Sequence, residues 1–270
     1  MIARILSAAL GLGLATLPMT QASADPLPLP GQSEDGWRYN LTLTGFLPTS
    51  TTGTSTVNGN AAPFDLSLSD VLNLLDFAAA GRVEAWNGNL GVIVDASYTS
   101  ISANGTGPVL GTLYGVNNRQ KWFSVMGAYR VAYGTNAGNG QPYSIDLQAG
   151  ARYNSIRQVV TIQPPFPAVG ISAGGDESWI EPVIGARGMW RLNDRWTTVA
   201  SLELGGFGVG GNDLQVAAAV GFDYRPWERT SLSFGYRYFS VDYSTTQPGG
   251  LFAYDTVQHG PYIGLKIDLN

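Results

Sequence analysis

No cysteine occurs anywhere in the chain. That excludes a disulfide framework, thiolate metal ligation and a lipid-anchored cysteine, and leaves packing and backbone pairing to provide stability. Histidine is nearly as scarce: His259 is the sole example, too little to build a transition-metal site. Charge is thin, with Asp, Glu, Lys and Arg at 13% of residues against about 25% in an ordinary soluble domain. Acids outnumber bases 20 to 15, which argues against nucleic acid as a partner. Long apolar runs are also missing apart from Ile5 to Leu17, which falls short of the ~20 residues a helix needs to cross a bilayer. Arg4 precedes that run and Ala22-Ser23-Ala24 follows it. These are the three parts of a secretory signal peptide, with cleavage expected after Ala24.

What the chain does have is alternation. From Leu214 onward, Val216, Ala218, Val220, Phe222 and Tyr224 share one face, and Gln215, Ala217, Ala219, Gly221 and Asp223 share the other. After a turn at Pro226 to Thr230, Leu232, Phe234, Tyr236 and Tyr238 alternate with Ser233, Gly235 and Arg237. Period two of this kind marks strands. The same pattern predicts eight more strands, at 37–47, 77–86, 90–101, 121–133, 143–157, 179–192, 196–206 and 257–269. Between the first two lies a Thr/Gly/Asn-rich loop. Within it, Leu68, Val71, Leu72 and Leu75 change to helical spacing behind a Ser67/Asp70 capping box, which predicts one short helix. Gly-rich and Pro-rich loops are expected before Asn118 and around Pro164, Pro165 and Pro167. Pro182 and Pro261 are expected to mark bends.

One face of each predicted strand is apolar, and this reading keeps Asp, Glu, Lys and Arg off it; the other mixes small and charged residues. A soluble barrel shows the reverse, so the pattern predicts an all-β, antiparallel up-and-down transmembrane β-barrel. Ten strands are expected, with eight as the alternative, plus the short helix in the first external loop. Residues 1–24 are the signal peptide, 25–36 a Pro-rich periplasmic leader, and 37–270 the barrel. Trp37, Tyr133, Tyr143, Trp190, Trp196, Tyr224 and Trp227 fall at the short-turn ends, where an interfacial aromatic girdle belongs. The inward set comprises Arg82, Glu84, Asp95, Arg130, Asp146, Arg152, Glu181, Arg187, Glu203, Asp223 and Arg237. Such near-balanced charges are expected to pair and close the lumen, because an unpaired buried charge is costly. Ala217, Ala219 and Gly221 keep a narrow water-filled channel as the alternative.

With these features the chain from Trp37 to Asn270 resembles the bacterial outer-membrane β-barrel superfamily of OmpA-like and related small barrels. The segment Pro63-Phe64-Asp65-Leu66-Ser67-Leu68-Ser69-Asp70, continuing into Phe77, looks like a segment of uncharacterised proteobacterial barrels. The resemblance implies outer-membrane lipid and lipopolysaccharide as surroundings, and the barrel-assembly machinery as a partner during biogenesis. The chain departs from the family in ending Ile267-Asp268-Leu269-Asn270 instead of on an aromatic residue.

Enzymatic motifs are weak. Gly170-Ile171-Ser172-Ala173-Gly174 matches G-x-S-x-G, and His259 follows it, but the motif acts at a sharp strand-to-helix turn, whereas here it is expected in an external loop. The Asp-x-His arrangement of outer-membrane proteases is absent, since Val257-Gln258 precede His259. Gly206-x-Gly208-x-x-Gly211 precedes a strand and not a helix, which rules out a dinucleotide fingerprint. Asp176-Glu177 is read as a solvated loop tip in preference to a Ca²⁺ site. The expectation is a barrel without catalytic residues, cofactor or metal, with a structural or surface-interaction role. A porin-like channel is the first alternative and a hydrolase using Ser172 and His259 the distant second.

Overall fold

The computed structural model describes residues 36–106, 113–165 and 169–269. The signal peptide, the leader up to Asp35, Pro167 and Asn270 lie outside the described residues. The elements in chain order are β1 (Arg38–Phe46), β2 (Ser50–Val57), β3 (Asn60–Ser67), α1 (Leu68–Leu74), β4 (Leu75–Asn87), β5 (Leu90–Thr106), β6 (Leu113–Thr135), β7 (Pro142–Gln163), β8 (Ile171–Asn193), β9 (Trp196–Val209), β10 (Asn212–Tyr224), β11 (Thr230–Gln247) and β12 (Gly250–Asp268). β1 and β4 to β12 pair antiparallel in sequence order, and β12 returns to pair with β1, closing a ten-stranded barrel. β2 and β3 form an additional hairpin carried on β12.

β12 pairs with two partners in succession. Tyr262 to Asp268 face Phe46 to Asn40 on β1, and Ala253 to His259 face Thr56 to Ser50 on β2. The chain kinks between those partners at Leu47-Pro48-Thr49, and Pro261 sits opposite the kink, where a missing N–H leaves the ladder intact. Pro182 lies just past the last rung between β8 and β9, Val183 with Gly205. Each proline therefore lies where the ladder is interrupted on one side, while on the other it stays continuous, Pro182 opposite Ala151 and Pro261 opposite Tyr236.

The first external segment is a correction to the sequence reading. Residues expected as loop form the β2–β3 hairpin, turned at Asn58-Gly59 with φ of 51° and 78°. Positive φ at both central residues is what a type I′ turn requires. Two further loops are also shorter than expected. β5 continues to Thr106 and β6 starts at Leu113, while β7 reaches Gln163 and β8 starts at Ile171. The G-x-S-x-G segment accordingly opens a strand, with Ser172 paired to Thr161. The physical reason is common to all of these. In the extensions most outward residues are polar or glycine, Leu113 and Val159 excepted, so the hydrophobic period fades while the backbone ladder continues.

The outward face also carries charge, contrary to expectation. Arg119, Lys121, Arg157, Asp176, Asp242 and Asp255 are exposed there, all toward the end remote from the chain termini, called here the far end. Between them and the short turns the outward face is apolar, with Leu43, Val83, Val92, Phe123, Leu147, Ile184, Leu202, Val220 and Ile263 exposed.

Candidate functional site: the barrel interior

Inward-facing side chains arrive from every second position, and register decides which of them meet. Arg82 lies opposite Asp95 across β4 and β5, and its Nε and Nη2 both donate to that carboxylate, the latter at 2.9 Å. Arg130 lies opposite Asp146 across β6 and β7 and donates through Nε at 2.9 Å. Asp146 in turn lies opposite Arg187 on β8 and accepts from its Nη2 at 2.9 Å.

Other contacts cross the lumen. Arg187 Nη1 reaches Glu84 Oε1 at 2.8 Å, Arg82 Nη2 reaches Glu203 Oε1 at 3.1 Å, and Arg152 Nη2 reaches Glu203 Oε2 at 2.7 Å. Arg82 Nη1 stands 3.9 Å from Glu84 and joins the two halves. The result is one continuous chain, Arg130–Asp146–Arg187–Glu84–Arg82–Glu203–Arg152, with Asp95 attached at Arg82. It holds four arginines and four carboxylates, all buried. Its balance matters, because each buried charge must be offset locally.

Three of the eleven predicted lumen residues stand outside that chain of ion pairs. Glu181 accepts from Trp179 Nε1 at 2.9 Å and from Asn212. The Gln215 amide lies between Glu181 and Arg152, donating to the first at 3.1 Å and accepting from the second. Arg237 packs between the Phe46 and Phe239 rings, 5.2 and 5.8 Å from their centroids. Asp223 lies near the short-turn end, opposite Ser233.

Several interior residues were missed. Lys266 is buried inside, and its alternation with Leu265 and Ile267 was the available signal. Trp86, Trp122 and Trp179 also face inward, whereas the girdle expectation places aromatics on the outside. Arg130 and Arg187 lie over Trp86 at 5.0 and 5.6 Å, and Arg152 over Trp122 at 4.9 Å. The ring faces thus supply part of what the guanidinium groups lose in leaving water.

Beyond the charged layer the lumen becomes apolar. Trp122, Ile156, Trp179, Phe239, Val241, Tyr243, Phe252 and Tyr254 form a cluster against which Val57 of the hairpin packs. Trp179 and Tyr243 stack at 3.9 Å. Phe64, Leu66 and Val71 pack with Ile101 on the inward face of β5, together with Leu74 and Leu75. The hairpin and α1 thereby cover the far mouth, and Ser55 Oγ donates to Gln158 on β7 at 3.3 Å. Of the predicted helix positions, Val71 is buried, Leu68 and Leu75 are half-buried, and Leu72 is exposed. The capping box is present: Ser67 N donates to Asp70 Oδ2 at 2.9 Å, and Asp70 N donates to Ser67 Oγ at 3.4 Å. Ser67 Oγ also donates to Asp70 Oδ2 at 2.7 Å, and that bond, with the one from Ser67 N, holds the Asp70 carboxyl below its usual pKa.

The small inward residues Ala219, Gly221 and Gly235 lie against larger side chains. Tyr262 lies over Gly221 and Gly235, where an added Cβ would overlap its ring or hydroxyl, and Ala219 packs against Phe46 and Tyr262.

On the outside, Tyr143, Trp190, Trp196, Tyr224 and Trp227 sit at the short-turn end, with Trp37 at the start of β1. Trp196 is the hub of a cluster, 4.8 Å from Tyr224, 6.2 Å from Phe222 and 5.9 Å from Phe234. Tyr133 differs. A register shift at Val131 places it opposite Ser144, whose side chain points inward, so Tyr133 faces the lumen side. A second set of outward aromatics, Phe77, Tyr98, Tyr153, Tyr236 and Tyr238, lies toward the far end.

Ser172 and His259 are not brought together. They stand on β8 and β12, four strand spacings apart in the wall, on the order of 19 Å at about 4.8 Å each. His259 Nδ1 is hydrogen-bonded instead to Tyr236 Oη at 2.6 Å. Among the described residues no group of His, Cys, Asp and Glu is placed to hold a metal ion.

No protein-family model matches the chain, and no curated protein matches it significantly. Solved structures similar to it include the outer membrane protease OmpT from Escherichia coli, at 13% identity and a TM-score of 0.48, covering 92% of this chain and 100% of that one. The translocator domain of the autotransporter NalP from Neisseria meningitidis gives 12% identity and 0.42, covering 88% and 90%. Ail, the attachment invasion locus protein of Yersinia pestis, gives 11% and 0.33, covering 83% and 97%.

Proposed function

We propose that the protein is an integral outer-membrane β-barrel with a sealed lumen, acting structurally or through its far-end surface and not as a channel or an enzyme. The membrane placement is supported by the apolar outward band. Along β7 it runs from Tyr143 to Tyr153, about 34 Å of strand and about 24 Å of height at a tilt of about 45°. A lipid-facing band of ~25 Å between two aromatic girdles is the expected dimension. Export by the signal peptide, insertion by the barrel-assembly machinery, and contact with outer-membrane lipid and lipopolysaccharide belong to the same reading.

The reading of a sealed lumen is supported by two layers standing one behind the other. The ion-paired layer spans the interior, and the hairpin with α1 fills the mouth beyond it. Water and ions would have to displace both. The test is conductance of the refolded chain in a planar bilayer, with a heat-dependent gel shift confirming the barrel. A folded, silent barrel is expected; discrete reproducible steps would replace this reading with the channel.

A further inference from the structure

Three cations stand together on the outward face just beyond the apolar band. On β6 the outward positions run Tyr129, Gly127, Val125, Phe123 and then Lys121 and Arg119; on β7 they run Leu147, Ala149, Ala151, Tyr153, Ser155 and then Arg157. Arg119 lies directly opposite Arg157. A like-charge pair in that position is unfavourable by itself, and Lys121 on the next outward position adds to it. All three are exposed. Asp176, opposite Arg157 on β8, approaches it to 3.7 Å and offsets one charge of the three.

Immediately beyond the cations the wall is concave. A cavity of about 440 Å³ opens there, lined both by hydroxyl and amide side chains, Ser102, Asn117 and Thr161 among them, and by the apolar Leu113, Val116 and Val159. Asn117 is the next outward position after Arg119 on β6 and lies opposite Ser102 on β5. The face therefore has three tiers at successive heights: apolar and aromatic, then cationic, then uncharged, with hydroxyl and amide groups set among apolar ones. The other side of the far end carries the opposite sign, with Asp242 directly opposite Asp255 on the outward face of β11 and β12.

We propose that the β5–β7 face binds the headgroup of a phosphorylated glycolipid in the surrounding leaflet. Its acyl chains lie on Phe123, Val125 and Tyr153, its phosphates on Arg119, Lys121 and Arg157, and its sugar hydroxyls in the cavity above. Each tier matches one part of such a molecule. Guanidinium groups are suited to phosphate oxygens by geometry as well as charge, and a ligand phosphate relieves the Arg119–Arg157 repulsion. The acids on β11 and β12 would repel the same headgroup, so the site is one-sided. This assignment rests on the membrane reading above.

The test uses the full chain refolded in detergent, with a heat-dependent gel shift as the check that a barrel has formed. Diphosphoryl lipid A is titrated in and followed by native mass spectrometry, alongside its dephosphorylated form, phosphatidylglycerol and inorganic phosphate. Binding of the diphosphoryl form is expected to be at least about tenfold tighter than that of the dephosphorylated form, consistent with the attraction of several basic residues to anionic lipid. The variant R119Q/K121Q/R157Q should lose that margin and most of the salt dependence, and N117A/T161A should weaken lipid A without affecting phosphatidylglycerol. K121Q alone, which leaves the strand backbone and both arginines in place, should give a smaller loss of the same kind. Unchanged affinity in the triple variant overturns the site. Full competition by millimolar inorganic phosphate, with lipid A no better than phosphatidylglycerol, overturns the glycolipid in favour of a simple anion site. A chain that shows no gel shift overturns the membrane reading itself.

Discussion

Arg187 on β8 touches Glu84 on β4, 103 residues away in the chain, at 2.8 Å, while the same guanidinium holds Asp146 on the neighbouring β7 at 2.9 Å. One side chain thus ties the wall to a strand across the lumen. Arg187→Ala leaves two buried carboxylates facing each other with less compensation. Breaking a buried pair costs about 3–5 kcal/mol, so the barrel should lose its heat-resistant gel form at a distinctly lower temperature. Glu84→Gln in the same background should restore part of the loss. Equal melting of Arg187→Ala and parent would show that the ion pair carries no stability.

On the proposed reading of a sealed lumen, the ion-paired layer and the hairpin act in series. Replacing Thr49 to Leu74 by a short Gly/Ser linker removes the mouth cover but leaves the Arg82–Glu203–Arg152 layer, and conductance should stay at baseline. Adding Arg82→Ala and Arg152→Ala should produce discrete steps in a planar bilayer. Steps from the linker variant alone would place the whole seal in the hairpin.

Ser67 and Asp70 fix the start of α1, and the cover should be sensitive to both. Ser67→Ala is expected to cost about 0.5–2 kcal/mol of local stability, read as faster amide hydrogen exchange in α1 and β3 with the barrel strands unaffected. The depressed pKa of Asp70 sets the sign of the pH effect. Its contribution is present above the usual carboxylate pKa of about 3.9 and is lost as pH falls through the lower folded value. Protection of the α1 amides, measured against their intrinsic exchange rate at each pH, should therefore fall below about pH 4 in the parent and change less in Asp70→Asn.

Gly221 on β10 faces Gly235 on β11 beneath the Tyr262 ring. A methyl group there would overlap the tyrosine hydroxyl and the Phe234 carbonyl. Gly221→Ala should destabilise the barrel by about 1–3 kcal/mol, the usual range for overpacking, and Gly221→Ala with Tyr262→Phe by less. Urea unfolding in vesicles distinguishes the two.

Which parts of this architecture were legible from the residues follows from what the hydrophobic period measures. Alternation reports contact with an apolar surrounding on one side. Phe222 beside Asp223, or Leu147 beside Asp146, therefore announced both strand and facing. Ser50 to Val57 offers no such contrast, and its hairpin went unread even though Asn58-Gly59 is a strong two-residue turn signal. Lys121 and Arg157 sit on the outward face at the ends of strands that were otherwise correctly placed, because the apolar requirement stops where the band stops. Inside, parity gives the side on which a charge lies. It cannot give the partner: that Glu203 receives both Arg82 and Arg152 depends on barrel width and stagger, which no single strand encodes. Tyr133 shows the remaining gap, since one bulge at Val131 reverses every parity beyond it.

The double pairing of β12 has a consequence for the order of assembly. Neighbouring strands can zip locally as hairpins, but the seam joins residues more than 200 positions apart, as Thr49 and His259 are, and such distant contacts form late. The hairpin covering the mouth hangs on that same seam through β12. The hairpin at the far end is therefore expected to be latched only when the final strand arrives. On the proposed reading, closing the wall and stoppering the bore are one event.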